Sequence, residues 1–415
     1  MKHHEYSTLR PRLLKSRWVV AAIGCITLLN ACGTLSTMEL DSNKGGAKEH
    51  ARNYDLKAEV DSLTQPLIKS GETPGIIVGV LTPDGKMQFF GYGTSGAKTR
   101  QVPDSDTLFP VGSLSKGYLG AIAASLVKEG LLSWDDTLEK LLPSSIPLSS
   151  DAKKITLLQL ATHTSGMPRQ PVTVQTLGYL TQYVFTGDNF YRHFDTDFVL
   201  GYLSNFSAPN NKDFQYSNIG YGLLGYVIEQ RTGKKLDALL KERIALPLGL
   251  RNTGYDLESL KDVKNRAYGH AGDQPKFVHR GDPVPDWHFT DIMKGSAALY
   301  SSAGDILIFA AAHMESRQSK LTPALVDTLQ VRYQREKEAP AIAWVVDKIE
   351  GQDITYQVGV VAGYTSYLGL DIEHRTAVVV LQNSFNWNNK VGHKLLNRLA
   401  AAHFFPERPD QRAGL

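Results

Sequence analysis

Leu108-Phe109-Pro110-Val111-Gly112-Ser113-Leu114-Ser115-Lys116-Gly117-Tyr118-Leu119-Gly120-Ala121-Ile122-Ala123-Ala124 is the stretch from which the rest of the chain is read. An apolar run leads through Gly112 into Ser113. The Ala/Leu-rich pattern after it predicts an amphipathic helix over 113–132. Residues i and i+3 share a helix face, so Lys116 comes within reach of the Ser113 hydroxyl. A helix N-terminus also presents unpaired N–H groups and a positive dipole end, which suit an oxyanion and a nucleophilic alkoxide. The plainer reading is a capping serine with a solvated lysine. S-x-x-K is a weak signal alone, and context separates its copies. Ser95–Lys98 lies between glycines in a turn, and Ser150–Lys153 reads as a helix start after a Pro/Ser loop.

A second constellation is Tyr216-Ser217-Asn218, the only Y-x-N in the chain, where a loop enters a long helix. It too has a plain alternative, a core tyrosine beside an N-cap. Leu56, Val60, Leu63 and Leu67 predict a helix near 55–69. Residues 75–81 and 86–92 flank Pro83-Asp84-Gly85 and read as a hairpin. From 135 to 290 the pattern is helices and long polar loops. Residues 297–317 and 322–331 read as helical. Strand-like runs return at 341–349, 353–361, 364–371 and 375–383, and a closing helix spans 389–404.

The expected fold class is therefore α/β (α+β): an antiparallel sheet flanked by helices and built from both chain ends. The catalytic domain would comprise 53–135 and 290–405, the inserted helical lobe 136–289, and a tail 406–415. A cleft between lobes is a common place for a site.

The chain has 415 residues, 42% hydrophobic and 21% charged, which excludes low-complexity and wholly disordered classes. Residues 1–17 hold Lys2, Arg10, Arg12, Lys15 and Arg17 against Glu5, and Trp18–Leu29 is mostly apolar. A basic start, a short apolar core and Ala31 before Cys32 describe a secretory signal over 1–31. The apolar run is too short to span a bilayer. Residues 32–52 read as a polar tether. The formal charge of +3 belongs to the leader. Without those five bases and one acid, the 45 Lys/Arg and 42 Asp/Glu leave a balance one unit negative. No nucleic-acid partner is therefore expected. The only other cysteine, Cys25, lies in the leader, so Cys nucleophiles and Cys-based metal sites are excluded.

After the leader no two histidines are closer than nine positions, so no HExxH-type signature occurs and no metal is expected. No G-x-S-x-G elbow occurs either. Gly91-x-Gly93-x-x-Gly96 and Gly220-x-Gly222-x-x-Gly225 match a dinucleotide fingerprint. Neither sits between a strand and a helix start, so both read as decoys.

Taken together, these segments resemble the serine β-lactamase and penicillin-binding-protein-like superfamily, in its class C-like branch. The resemblance runs over roughly 55–400. It rests on Ser113–Lys116, Tyr216–Asn218, Leu157–Gly166, Tyr221–Gly225, Pro247–Thr253 and Ala297–Asp305. It implies Ser113 as nucleophile, with Lys116 and Tyr216 activating it jointly and Tyr216 later activating water. Asn218 would orient the scissile bond, and the backbone N–H groups of Ser113 and Val360 would form the oxyanion hole. No cofactor is implied.

The third family motif normally carries Lys-Thr-Gly or His-x-Gly, and here reads Gln357-Val358-Gly359. In the family that basic residue helps hold the substrate carboxylate. A hydrogen bond to a charged group contributes about 1.5–3 kcal/mol and a neutral one about 0.5–1.5. Three functions follow as expectations: a β-lactam or D-Ala-D-Ala peptide hydrolase, a carboxylesterase on neutral esters, and a non-turnover penicillin-binding sensor. The substrate would be a small molecule or a peptidoglycan fragment, and the protein a monomer. The Leu29-Asn30-Ala31-Cys32 ending resembles a bacterial lipoprotein signal, with Cys32 lipidated. Gly33 suggests the outer membrane, facing the periplasm. The alternative is a soluble periplasmic protein.

Overall fold

The computed structural model describes residues 55–96, 101–187, 189–210, 213–273, 278–314, 319–349, 351–386 and 390–403. The signal segment 1–31, the tether 32–52 with Cys32, and the tail 406–415 lie outside the described residues.

Helix α1 (Leu56–Lys69) starts where Asp55 accepts from the Lys57 and Ala58 amides, and it buries Val60, Thr64 and Leu67 at helical spacing. Strands β1 (Gly75–Leu81) and β2 (Met87–Gly93) form the expected hairpin. A short β3 (Leu108–Pro110) precedes the turn Gly112–Leu114 and helix α2 (Ser115–Lys128). Helices α3 (Val174–Thr186) and α4 (Asn218–Thr232) follow. Then come β4 (Tyr300–Ser302), α5 (Ala303–His313), β5 (Ala339–Pro340) and β6 (Val345–Ile349). The chain closes with β7 (Gln352–Val361), β8 (Tyr364–Asp371), β9 (Thr376–Gln382) and α6 (Lys390–His403).

The sheet order is β2-β1-β9-β8-β7-β6-β5, antiparallel throughout. The two chain ends meet where β1 pairs with β9, Val78 opposite Val380. Strands β1, β8 and β9 are buried along their whole length, which explains their near-continuous apolar runs. Alternation sorts the faces. Gly79 packs against Leu307 of α5, whereas Gly369 packs against Leu396 of α6, so the helices cover opposite sides. An ion pair from Arg398 to Glu59, at 2.6 Å, ties α6 to α1.

The region predicted helical from 297 is interrupted. Tyr300–Ser302 pairs with Leu108–Pro110, and α5 begins only at Ala303, capped by Ser302 through the Asp305 amide. Strand pairing with a partner almost 200 residues away overrides the local helical pattern there. The predicted helix start at Ser150 is also displaced by one residue, because Ser149 supplies the cap.

Two histidines support the sheet from within the core. His313 of α5 donates from Nδ1 to the Phe309 carbonyl at 2.8 Å and meets Phe309 and Trp344 edge-on. His393 of α6 sits against Tyr356 and Tyr367. Burial pushes each down to about 4. Between pH 6.5 and 4 the unfolded chain therefore binds protons that the folded chain refuses. Stability is full above that window and is lost as pH falls through it. Each histidine contributes about 2–3 kcal/mol of this loss. His313→Leu is expected to shrink the difference in unfolding free energy between pH 7 and pH 4.5 by about that amount. Urea unfolding at both values checks it, and an unchanged difference would refute the assignment.

Candidate active site

The nucleophile turn is built by close backbone contacts. Gly112 takes a left-handed φ of 53°, which a side chain would resist. The Ser115 hydroxyl donates to the Gly112 carbonyl at 2.6 Å and accepts from the Leu299 amide at 3.0 Å. Ser366 of β8 donates to the Val111 carbonyl at 2.7 Å. A Cβ on Gly359 would lie 2.0 Å from the Val111 oxygen and 3.0 Å from the Ser113 nitrogen. Strand β7 can press against this turn only because residue 359 is glycine. The Val360 nitrogen lies 3.0 Å from the position a Cβ would take on Gly112, so the β7 backbone approaches the turn at that glycine as well.

Ser113 is half-buried, while Lys116 behind it is 2% exposed. Lys116 Nζ lies 2.9 Å from Ser113 Oγ, 2.9 Å from Asn218 Oδ1 and 2.6 Å from the Ser296 carbonyl. The Tyr216 hydroxyl donates to Ser113 Oγ at 2.6 Å. Asn218 in turn donates from Nδ2 to the Tyr191 hydroxyl at 2.5 Å. Ser113, Lys116, Tyr216 and Asn218 thus form one hydrogen-bonded group.

Tyr216 and Asn218 are placed by the start of α4. Ser217 caps that helix through the Gly220 amide, donates to the Pro168 carbonyl at 2.8 Å, and gives its own N–H to His163 Nδ1 at 3.1 Å. His163 therefore acts as an acceptor at Nδ1 and packs its ring 4.4 Å from that of Tyr216. Arg169 lies on Tyr216 as well, its guanidinium carbon 4.6 Å from the ring centroid. The Arg169 carbonyl accepts from the Asn218 amide at 3.1 Å.

Electrostatics follow from burial. Desolvation, aided by the Arg169 charge, holds Lys116 well below the ordinary lysine value. Burial raises Tyr216, opposed by Arg169 and the hydrogen bond to Ser113. His163 is pushed well down by burial and by the charges of Lys116 and Arg169. A neutral amine has two N–H donors and one lone pair. Donation to Asn218 and Ser296 leaves that lone pair for the Ser113 proton. The arrangement can therefore deprotonate Ser113 while a neutral phenol donates to the same oxygen.

Gln357 is 5% exposed, and its amide lies against Gly117 of α2, where a Cβ would meet Nε2 at 2.4 Å. It occupies the register position opposite Leu368, on the same sheet face as Gly359. Gly359 thus lines the nucleophile turn, and Gln357 lies against the first turn of α2. Cys32 lies outside the described residues.

The decoys also find places. Ser95 is buried and donates to the Gln101 carbonyl at 3.0 Å. A further S-x-x-K copy, Ser125–Lys128, ends α2, and its serine donates to the Ile122 carbonyl at 2.7 Å. Gly222 and Gly225 lie inside α4 and let it approach the Ile292 carbonyl and Gly295. Sequence reasoning assigned no role to His163, Arg169, Tyr191 or Ser296. His163 lies inside the quoted Leu157–Gly166 stretch and was within reach. Ser296 acts through its carbonyl, which leaves no side-chain signal.

The family model for beta-lactamase matches residues 60–403. A beta-lactamase of Pseudomonas fluorescens is 29% identical over 222 residues, covering 52% of this chain and 56% of that protein. This chain therefore spans little more than half the length of that curated relative. Among solved structures, the class C beta lactamase from Rhodobacter sphaeroides superposes with a TM-score of 0.70 at 23% identity, covering 84% of this chain and 99% of that one. The octameric penicillin-binding protein homologue from Pyrococcus abyssi gives 0.71 at 23% identity, covering 83% and 77%. At such identities these two likenesses establish the fold.

Proposed function

The chain belongs to the beta-lactamase family, and on that premise we propose that it is a serine acyl hydrolase acting on β-lactam or D-Ala-D-Ala peptide amides. The observation that carries this reading is Ser113 Oγ held between Lys116 Nζ at 2.9 Å and the Tyr216 hydroxyl at 2.6 Å. Ser113 attacks the acyl carbon, and its proton passes to neutral Lys116. The oxyanion is held by the N–H groups of Ser113 and Val360. The C–N bond then breaks. The leaving nitrogen takes a proton from Tyr216, which Lys116 reprotonates. Water attacks the acyl-enzyme and gives a proton to the Lys116–Tyr216 pair. The C–Oγ bond then breaks and the pair returns a proton to Ser113 Oγ, releasing the acid. The pair titrates as a coupled unit. Asn218 orients both Lys116 and the scissile group.

A second reading, hydrolysis of neutral esters, is favoured by Gln357 standing where the resemblance expects a cation. Incubation of purified protein with a reporter cephalosporin, followed by absorbance and intact mass, tests the first reading. Rapid turnover with a transient adduct supports it. A persistent adduct without turnover points to a sensor. An unreactive protein that turns over p-nitrophenyl acetate points to the esterase. We also propose that the protein is exported and tethered through Cys32 on the periplasmic side of the outer membrane, a reading supported by the basic-apolar segment 1–31.

A further inference from the structure

We propose that Arg169 is the specificity-determining residue of this cleft, the cation that reads a carboxylate on the acyl donor. The inference rests on the acyl-hydrolase reading and adds to it the charge of the substrate.

Lys116 is unsuited to that task. It is 2% exposed, and as a neutral amine it carries no charge while its two N–H donors serve Asn218 and Ser296. Gln357 is neutral. Its Nε2 finds no hydrogen-bond acceptor among the described residues, so it can add one donor but no charge. Arg335 lies over the Phe214 ring at 5.0 Å and is paired with Asp213 at 3.5 Å.

Arg169 carries a charge and lies beside the tyrosine that contacts the nucleophile. It is half-buried, like Ser113 and Tyr216. Its carbonyl is held by the Asn218 amide at 3.1 Å and the Ile219 amide at 3.4 Å, which fixes its backbone to the start of α4. Its side chain lies on the Tyr216 ring, a stacking that limits its conformations before substrate arrives. A guanidinium carries five N–H donors in a planar fork. It can hold its protein neighbours and still present a pair to a carboxylate. A charge beside the Tyr216 ring supplies what the neutral Gln357 cannot.

The test uses two matched pairs with the full-length protein: a cephalosporin against its carboxylate methyl ester, and p-nitrophenyl hemisuccinate against p-nitrophenyl acetate. In each pair the reacting bond is retained and the charge removed. For Arg169→Gln, the kcat/KM advantage of the acid over its neutral partner is expected to fall about 30-fold in at least one pair, or about 2 kcal/mol, chiefly through KM. Arg169→Lys should recover part of it, because the charge returns without the fork. Circular dichroism and the urea midpoint report that the variant is folded. The Arg169 charge also lowers Lys116, so a loss shared by both members is allowed for and the acid-to-neutral ratio is the readout. An unchanged ratio in both pairs, with or without a shared loss, overturns the proposal. If the wild-type protein turns over neither pair and carries no adduct on Ser113, the acyl-hydrolase reading itself fails.

Discussion

Ser113→Ala is expected to lower kcat about 10⁴-fold or more on any acyl donor that the wild-type protein turns over, and to remove the covalent adduct from intact mass spectra. The reason is chemical rather than structural. The turn is secured by Ser115, Ser366 and Gly359, and among the described residues the Ser113 hydroxyl contacts the catalytic Lys116 and Tyr216. Lys116 keeps Asn218 and Ser296 as partners when the hydroxyl is gone. The variant should therefore unfold within about 1 kcal/mol of wild type while losing activity. That pairing of near-normal stability with lost turnover is the signature to measure. Retention of wild-type rates would sink the mechanism.

Lys116→Met is expected to lower kcat/KM by about 10²–10⁴-fold, the range a positioned general base contributes. Methionine preserves the length and the helical fit of the lysine stem but brings no proton acceptor. It also leaves Asn218 Oδ1 and the Ser296 carbonyl without their shared donor. The pH profile supplies a second readout. Burial and the Arg169 charge hold Lys116 below the ordinary lysine value, and the active form is the neutral amine. Wild-type kcat/KM should therefore fall as pH drops through that lowered value, because protonation removes the lone pair facing Ser113. The residual activity of Lys116→Met should lack this acid limb. A variant within tenfold of wild type, or one that keeps the limb, would exclude Lys116 as the proton acceptor.

Much of the fold was legible because it is written in local periodicity. The 75–93 hairpin, the strand runs near 353–383 and the closing helix all fall close to their expected places. The misreading at 297–302 has a tertiary cause: Tyr300–Ser302 is a strand because Leu108–Pro110 lies beside it. The candidate site divides in the same way. Ser113 and Lys116 stand three residues apart, and that spacing alone brings a hydroxyl and an amine onto one face of the chain. Tyr216–Asn218 was visible as the only Y-x-N. Arg169 and Tyr191 were not, since an arginine and a tyrosine in irregular segments look the same whether they face water or a nucleophile.

By itself, then, the sequence determined which groups could react: a serine with a lysine one helical turn on, a tyrosine and an asparagine at a helix start, and a glutamine and a glycine on a late strand. Only the tertiary structure decided their states. It set Tyr216 Oη 2.6 Å from Ser113 across 103 positions of chain, and it placed the Ser296 carbonyl on Lys116. It laid Arg169 on Tyr216 and buried Lys116 until its charge became costly. The physical reason is that identity and short-range spacing are local properties. Desolvation and the field of distant charges depend on which remote segments pack around a group.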